Sequence, residues 1–279
     1  MYNALTIDVE DYFHVTAFER YISSEDWDTY PSRVAGNTMR ILDMLDEFSV
    51  KATFFVLGWV AEREAALVRE IKNRGHEIAC HGYGHKLVYN LGRNKFRDDT
   101  RKSKKILEDI CGIPVNGYRA TSYSITKESL WALDILIEEG FLYDSSVFPI
   151  SHDIYGMPGT ERFSHDITRP SGIIKEFPIT TFCFPYSSCR IPVAGGGYLR
   201  LLPVSFIRHA ISYINTKERQ PAVVYFHPWE IDPGQPRIRA GMKSRFRHYV
   251  NLDKTENKIR YLLSSLKFKT LEAVLSHEE

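Results

Sequence analysis

Residues 73–85 read Asn-Arg-Gly-His-Glu-Ile-Ala-Cys-His-Gly-Tyr-Gly-His, and the pair His81 and His85 within them organises the chain. Two imidazoles four residues apart lie on one face of a helical turn, or of a tight loop, so both can reach one divalent cation. The stretch departs from the His-Glu-x-x-His helix of zinc peptidases, because His76 and His81 are five apart and fall on different faces. Upstream, the turn Asn73-Arg74-Gly75 leads into Glu77-Ile78-Ala79-Cys80, which reads as a short buried strand. The histidine pair therefore sits just beyond a strand's carboxyl end, where α/β sheets and barrels build their sites.

Outward from this strand the same rhythm recurs. Residues 4–7 form a first strand that runs into Asp8-Val9-Glu10-Asp11, and alternation puts Asp8 and Glu10 on one side with Asp11 on the other. Three acids in four residues repel one another unless a cation or a shared proton relieves them; the plainer reading is a helix or turn cap. Residues 34–48 carry apolar side chains at helical spacing and precede a strand at 51–57, and a second helix at 59–73 closes at Gly75. Residues 94–110 read as a charged helix, 116–119 as a strand ending at Arg119, 124–139 as a helix closed by Gly140, and 141–144 as a strand ending at Asp144. This alternation is the signature of parallel α/β architecture.

From 145 to 197 the rhythm breaks into Pro- and Gly-rich loops with short strand-like runs, which reads as an insertion. Helix returns at 201–215, and the apolar strand 221–226 leads into His227. Residues 233–250 are basic without a core pattern, and 256–266 with 271–275 supply a last helix pair. The expected organisation is one domain over 1–279, with core strands within 1–144 and 221–230, an insertion at about 145–220 and a carboxyl-terminal extension at about 231–279.

Lys+Arg 36 against Asp+Glu 35 leaves a formal charge of +1, so no global field attracts nucleic acid or an anionic membrane, and nucleic acid is not expected as a partner. The first residues show neither a basic region nor a long apolar stretch, so no signal peptide and no integral membrane segment is expected. The chain reads as cytoplasmic, with the inner face of the cytoplasmic membrane as its possible place of work. Arg237, Arg239, Lys243, Arg245 and Arg247 form a solvated face or a peripheral contact with an anionic glycan or lipid headgroups. Cys80, Cys111, Cys183 and Cys189 lack zinc or redox spacing and read as core or loop residues, and His14, His152 and His165 as loop histidines.

Asp8, Glu10, His81, His85, Arg119, Asp144 and His227 all fall at strand ends, which converge in a barrel. A carboxylate with two imidazoles suits Zn²⁺, with Co²⁺, Ni²⁺ or Fe²⁺ as alternatives, and leaves open positions that imply catalysis.

These residues carry a resemblance. Thr6-Ile7-Asp8 with a following acid, His81-x-x-x-His85, the Arg119 strand and Tyr225-Phe226-His227 together resemble the NodB-type polysaccharide deacetylases, the family 4 carbohydrate esterases. LTIDVEDYFHV at 5–15, YDSSVFP at 143–149, GGGYLRLLP at 195–203 and VVYFHPWEIDP at 223–233 are similar to the bacterial subfamily associated with exosortase and PEP-CTERM loci in exopolysaccharide biosynthesis. The resemblance implies a distorted (β/α)7 barrel that removes an acetyl group from an N-acetylated glycan with a bound divalent metal. It implies Asp8 as general base, His81 and His85 with Glu10 or Asp11 as metal ligands, Arg119 orienting Asp8, and His227 as general acid. Asp144 is the candidate for the acid that raises the pKa of His227, and the Ser122 N–H a candidate oxyanion donor.

Three positions depart from the family's pattern: Asp8-Val9-Glu10-Asp11 stands for two adjacent Asp, Gly82 for a Ser or Thr that braces the histidine loop, and Ala120-Thr121 for two prolines. The alternatives are a metal-independent amide hydrolase of the same fold, acting on a ureide such as allantoin, and a catalytically silent glycan-binding protein.

Overall fold

The computed structural model describes residues 1–152, 154–184, 187 and 189–275. Strand β1 (Asn3–Val9) is buried along its whole length because both its faces are covered. Leu5, Ile7 and Val9 join a large apolar core, whereas Ala4 joins a second cluster with Phe55, Ala79, Tyr143, Phe177, Val223 and Tyr225. Alternation along the strand explains the split: one face meets the helices and the other faces the barrel interior.

The remaining strands are β2 (Thr53–Val56), β3 (Glu77–Cys80), β4 (Gly117–Tyr118), β5 (Tyr143–Asp144), β6 (His165–Arg169), β7 (Gly172–Glu176), β8 (Thr181–Cys183), β9 (Arg190–Pro192), β10 (Val223–Phe226) and β11 (Phe268–Lys269). Seven of them, in the order β10-β1-β2-β3-β4-β5-β7, pair in parallel. Strand β6 folds back antiparallel on β7, β8 pairs with β9 apart from the main sheet, and β11 joins the first residues of β1. Between β7 and β10 there is no ladder. Instead Val223 N–H donates to Thr180 Oγ1 at 2.7 Å and Tyr225 N–H to the Ala194 carbonyl at 2.8 Å, so the seven-stranded barrel is closed by loop contacts and is distorted.

The helices are α1 (Val34–Glu47), α2 (Gly58–Arg63), α3 (Ala65–Asn73), α4 (Val88–Cys111), α5 (Trp131–Glu138), α6 (Gly196–Leu201), α7 (Val204–Tyr213), α8 (Met242–Tyr249), α9 (Leu252–Ser265) and α10 (Leu271–Leu275). Helix α1 shows why they form: Val34, Ile41, Leu42, Met44 and Leu45 make one buried stripe against the sheet.

Four differences from the sequence reading have local causes. The helix expected over 59–73 is two, broken at Glu64 (φ −119°, ψ 45°). Helix α4 begins earlier than residue 94 and is interrupted at Gly92, whose φ of 71° only glycine adopts freely. The insertion is not peripheral throughout, since β7 lies within it and supplies a barrel strand. Helix α8 has no counterpart in the sequence pattern, because His248 is its one buried side chain and it leaves no apolar stripe to read.

Candidate active site

Strand parity delivers the site. Asp8 is in phase with Ala4 and Thr6, His81 with Ala79, Arg119 with Gly117, and His227 with Val223 and Tyr225, so all four side chains enter the barrel at strand carboxyl ends. Packing at this depth is tight: a Cβ at Gly117 would lie 2.1 Å from the Tyr143 ring, so only glycine fits.

One residue past β1, Glu10 keeps the parity of Asp8. Donor atoms of Glu10, His81 and His85 lie within 4.8 Å of one another, and all three residues are buried. Glu10 Oε2 is 2.5 Å from His85 Nε2 without hydrogen-bond geometry, and no other donor reaches it. His81 Nδ1 lies 2.8 Å from the Arg119 carbonyl, so the proton sits there and Nε2 keeps its lone pair for the cluster. Trp229 Nε1 donates to Glu10 Oε1 at 3.1 Å. Burial favours the neutral acid at Glu10, but His85, His227 and His81 outweigh it and hold the carboxyl well below its usual range. Burial pushes His81 down to about 4, leaving it neutral. An ionised carboxylate with two imidazoles, one tied back to a carbonyl and the acid keeping an oxygen without a donor, fits a divalent cation.

The histidines stand on a tight loop, not a helical turn, with left-handed Gly82 (φ 72°) and His85 (φ 47°). Helix α4 braces this loop: Asp99 accepts from the N–H groups of Tyr83 and Gly84 at 2.7 and 3.1 Å, and Ser103 Oγ donates to the Gly82 carbonyl at 3.0 Å. The bracing expected from a hydroxyl at 82 thus comes from outside the loop. Where the family's prolines are missing, Thr121 Oγ1 donates to the Lys86 carbonyl at 2.8 Å and Ala120 N–H to Ser146 Oγ at 2.8 Å.

Arg119 is fully buried and donates to Asp8 Oδ1 at 2.6 Å, Thr6 Oγ1 at 2.8 Å, and the carbonyl and hydroxyl of Ser145 at 3.1 and 2.9 Å. Its guanidinium lies over the Phe55 ring. His227 stands beside both carboxylates, its Nε2 3.6 Å from Glu10 Oε1 and 3.9 Å from Asp8 Oδ2, and its ring stacks on Trp229. Burial lowers its pKa, yet Glu10, Glu230 and Asp8 together push it up to about 9.

The acid beside His227 is Glu230, not Asp144. Glu230 Oε2 lies 3.5 Å from His227 Nδ1 and accepts the His227 backbone N–H at 3.2 Å. The signal was in the sequence: Pro228 starts a helical turn at His227, which brings a residue three positions on back over it. Asp144 is out of phase with Tyr143, so the inward position after β5 belongs to Ser145. Asp144 instead accepts from Ser146 Oγ at 2.5 Å and pairs in register with Glu176.

Asp11 also stands apart from the metal-ligand group. Its carboxylate accepts the N–H groups of Tyr12, Arg33 and Val34 at 2.9, 2.6 and 2.9 Å and the Ser32 hydroxyl at 3.1 Å, and so caps α1. His14, read as a loop histidine, is buried among Phe13, Trp27 and Trp59 and accepts the Asp11 N–H at 2.8 Å.

Asp8, Glu10, His81, His85, His227 and Glu230 line a cavity of about 330 Å³. Its walls include Tyr123, Tyr155, Tyr198 and Trp229, faces on which a sugar ring can stack. Ser122 lines the same space in a left-handed conformation (φ 51°), its hydroxyl paired with Thr16 Oγ1 at 2.6 Å.

Residues 26–136 match the polysaccharide deacetylase family, and residues 145–276 match a domain of unknown function, DUF3473. The two matches meet in one sheet, β2 to β4 coming from the first and β7 and β10 from the second. The chain is 35% identical over 98 residues to a peptidoglycan-N-acetylglucosamine deacetylase of Bacillus cereus, covering 35% of this chain and 36% of that protein. It is 26% identical over 117 residues to a bifunctional xylanase/deacetylase of Pseudobutyrivibrio xylanivorans, covering 42% of this chain and 19% of that one. The chain thus spans well under two thirds of these relatives. Among solved structures, a Mycobacterium smegmatis protein described as a candidate polysaccharide deacetylase aligns with a TM-score of 0.61 at 22% identity, over 98% of this chain and 88% of that one. Puue allantoinase aligns with a TM-score of 0.64 at 13% identity, with the same coverage. Both are likenesses of fold.

Proposed function

We infer that this chain, which carries a polysaccharide deacetylase domain, is a divalent-metal-dependent hydrolase that removes N-acetyl groups from an N-acetylhexosamine-containing polysaccharide or its biosynthetic intermediate. The observation that carries the reading is the Glu10, His81 and His85 cluster in the wall of the cavity, with Asp8 and His227 beside it. The subfamily strings at 5–15, 143–149, 195–203 and 223–233 support a role in exopolysaccharide production.

Glu10, His81 and His85 would hold the cation, Zn²⁺ being favoured by the donor set. Bound there, it would supply Lewis acidity toward the acetamide carbonyl and the attacking water. Asp8, held by Arg119, is aimed into the cavity and takes the water's proton as general base. His227, with Glu230 at its Nδ1, delivers a proton to the departing sugar nitrogen as the amide C–N bond breaks, leaving acetate and a free amine. The aromatic walls orient the sugar.

The test is elemental analysis of purified protein and of His81→Ala, together with acetate release from N-acetylglucosamine oligosaccharides. About one divalent metal per chain, lost in His81→Ala along with acetate release, is the expected outcome. A metal-free wild type after reconstitution with zinc or cobalt, with no acetate released, would overturn the reading.

A further inference from the structure

We propose that α8 and the rim around it form a docking surface for an anionic phospholipid bilayer. Four large apolar side chains stand clear of the protein here: Met242 is 87% exposed, Phe246 61%, Leu201 50% and Tyr21 48%. They are contiguous. Leu201 and Phe246 both line the mouth of the catalytic cavity, Met242 and Phe246 flank one shallow groove with Arg237 and Arg245, and the Tyr21 hydroxyl accepts the N–H of Gly241, which precedes α8. Met242 and Phe246, four residues apart, share one helix face.

Cations surround these side chains. Residues 233–250 contain Arg237, Arg239, Lys243, Arg245 and Arg247, all exposed, and no Asp or Glu. The turn packed against α8, Thr16–Phe18, adds no charge, and Glu19 and Arg20, which follow it, cancel. In a chain whose formal charge is +1, this is a local concentration of positive charge. Nor is α8 loosely attached, since Arg200 donates to the carbonyls of Arg247, His248 and Val250, and the His248 ring stacks on Trp229 at 4.2 Å.

Apolar side chains projecting from among cations on a pinned helix match the chemistry of the headgroup interface, where acyl chains take the first and phosphates the second. An anionic glycan would match the arginines and leave Met242 and Leu201 in water. No helix among the described residues is long and apolar enough to cross a membrane, and the contact proposed is a peripheral one. Docked this way, the cavity opens at the membrane surface.

Co-sedimentation of the full chain with phosphatidylcholine vesicles, with and without phosphatidylglycerol, tests the proposal and needs neither metal nor turnover, so its result is separate from that of the deacetylase reading. The chain should pellet with the phosphatidylglycerol vesicles, less so as salt rises. Met242→Glu, an exposed change whose folding circular dichroism checks, should bind about tenfold or more weakly, as should Arg239→Glu combined with Lys243→Glu. Wild type left in the supernatant, or Met242→Glu pelleting like wild type, would overturn the proposal. A dimer abolished by Met242→Glu, without vesicle binding, would assign the face to a second copy of the chain; retention on a soluble anionic polysaccharide alone would assign it to a glycan.

Discussion

Arg200 Nε lies 2.9 Å from Glu230 Oε1, both side chains are buried, and the pair ties the end of α8 to the imidazole of His227. One end of the link is the fork of Arg200 on the carbonyls of Arg247, His248 and Val250; the other is Glu230 against the Nδ1 and backbone N–H of His227. Removing the cation abandons a buried carboxylate. Arg200→Met should therefore cost about 3–5 kcal/mol, roughly 6 to 20 °C in Tm for a chain of this size. Adding Glu230→Gln removes the abandoned charge and should recover part of that loss. Thermal melts of the single and double variants decide: a single variant as stable as wild type, or a double variant no better than the single, would refute the account.

Glu10 and Asp11 are neighbours in sequence with opposite consequences. Asp11 accepts three backbone N–H groups and a hydroxyl, so Asp11→Ala strips a buried helix cap and should cost about 2 kcal/mol or more while leaving metal stoichiometry intact. Glu10→Ala should lose the metal, because Glu10 supplies the carboxylate of the cluster with His81 and His85. Denaturant melts paired with elemental analysis check both. Metal lost from Asp11→Ala and kept by Glu10→Ala would exchange their roles.

What could be read from the sequence followed from period-two alternation. Apolar runs ending in Asp8, His81, Arg119 and His227 gave both the strands and their inward parity, because a strand buried on both faces is an uninterrupted apolar stretch with one register. The acid cluster was half legible: parity separated Glu10 from Asp11, but that Asp11 caps α1 depends on Arg33 and Val34, 22 and 23 residues away. Asp144 was misplaced because a two-residue strand, β5, carries too little pattern to set its phase. Helix α8 was invisible because tertiary anchors, chiefly Arg200, hold it where an apolar stripe would otherwise be needed.

Within the string Gly195-Gly196-Gly197, the glycines are not equivalent. A Cβ at Gly195 would lie 2.0 Å from the Tyr225 carbonyl, on the strand that delivers His227, whereas one at Gly197 would meet only Arg200 Nη2 at 3.9 Å. Gly195→Ala should push β10 outward and cost about 2 kcal/mol or more, while Gly197→Ala stays within about 0.5 kcal/mol of wild type. Chemical denaturation of the two variants side by side measures the contrast, and equal stabilities would discredit the close approach.

Asp144 and Glu176 face each other in register between β5 and β7, both fully buried, and Asp144 Oδ2 and Glu176 Oε2 each lack a donor. One proton held between those oxygens satisfies both. Burial raises each pKa, Asp144 to about 6, and at Glu176 the neighbouring Asp144 charge raises it further. An unfolded carboxyl titrates near about 4, so the folded protein binds this proton more tightly than the unfolded chain does. The resulting stability is complete below about pH 4 and is lost as pH rises through the folded values. Glu176→Gln replaces the shared proton with an amide N–H that does not titrate, so the variant should gain on wild type by about 1–3 kcal/mol between roughly pH 5 and pH 8. Comparing the two proteins at each pH cancels the titration of every distant carboxylate common to both. Denaturant melts at the two pH values supply the difference; a gap that does not widen with pH would mean that Asp144 and Glu176 do not share a proton.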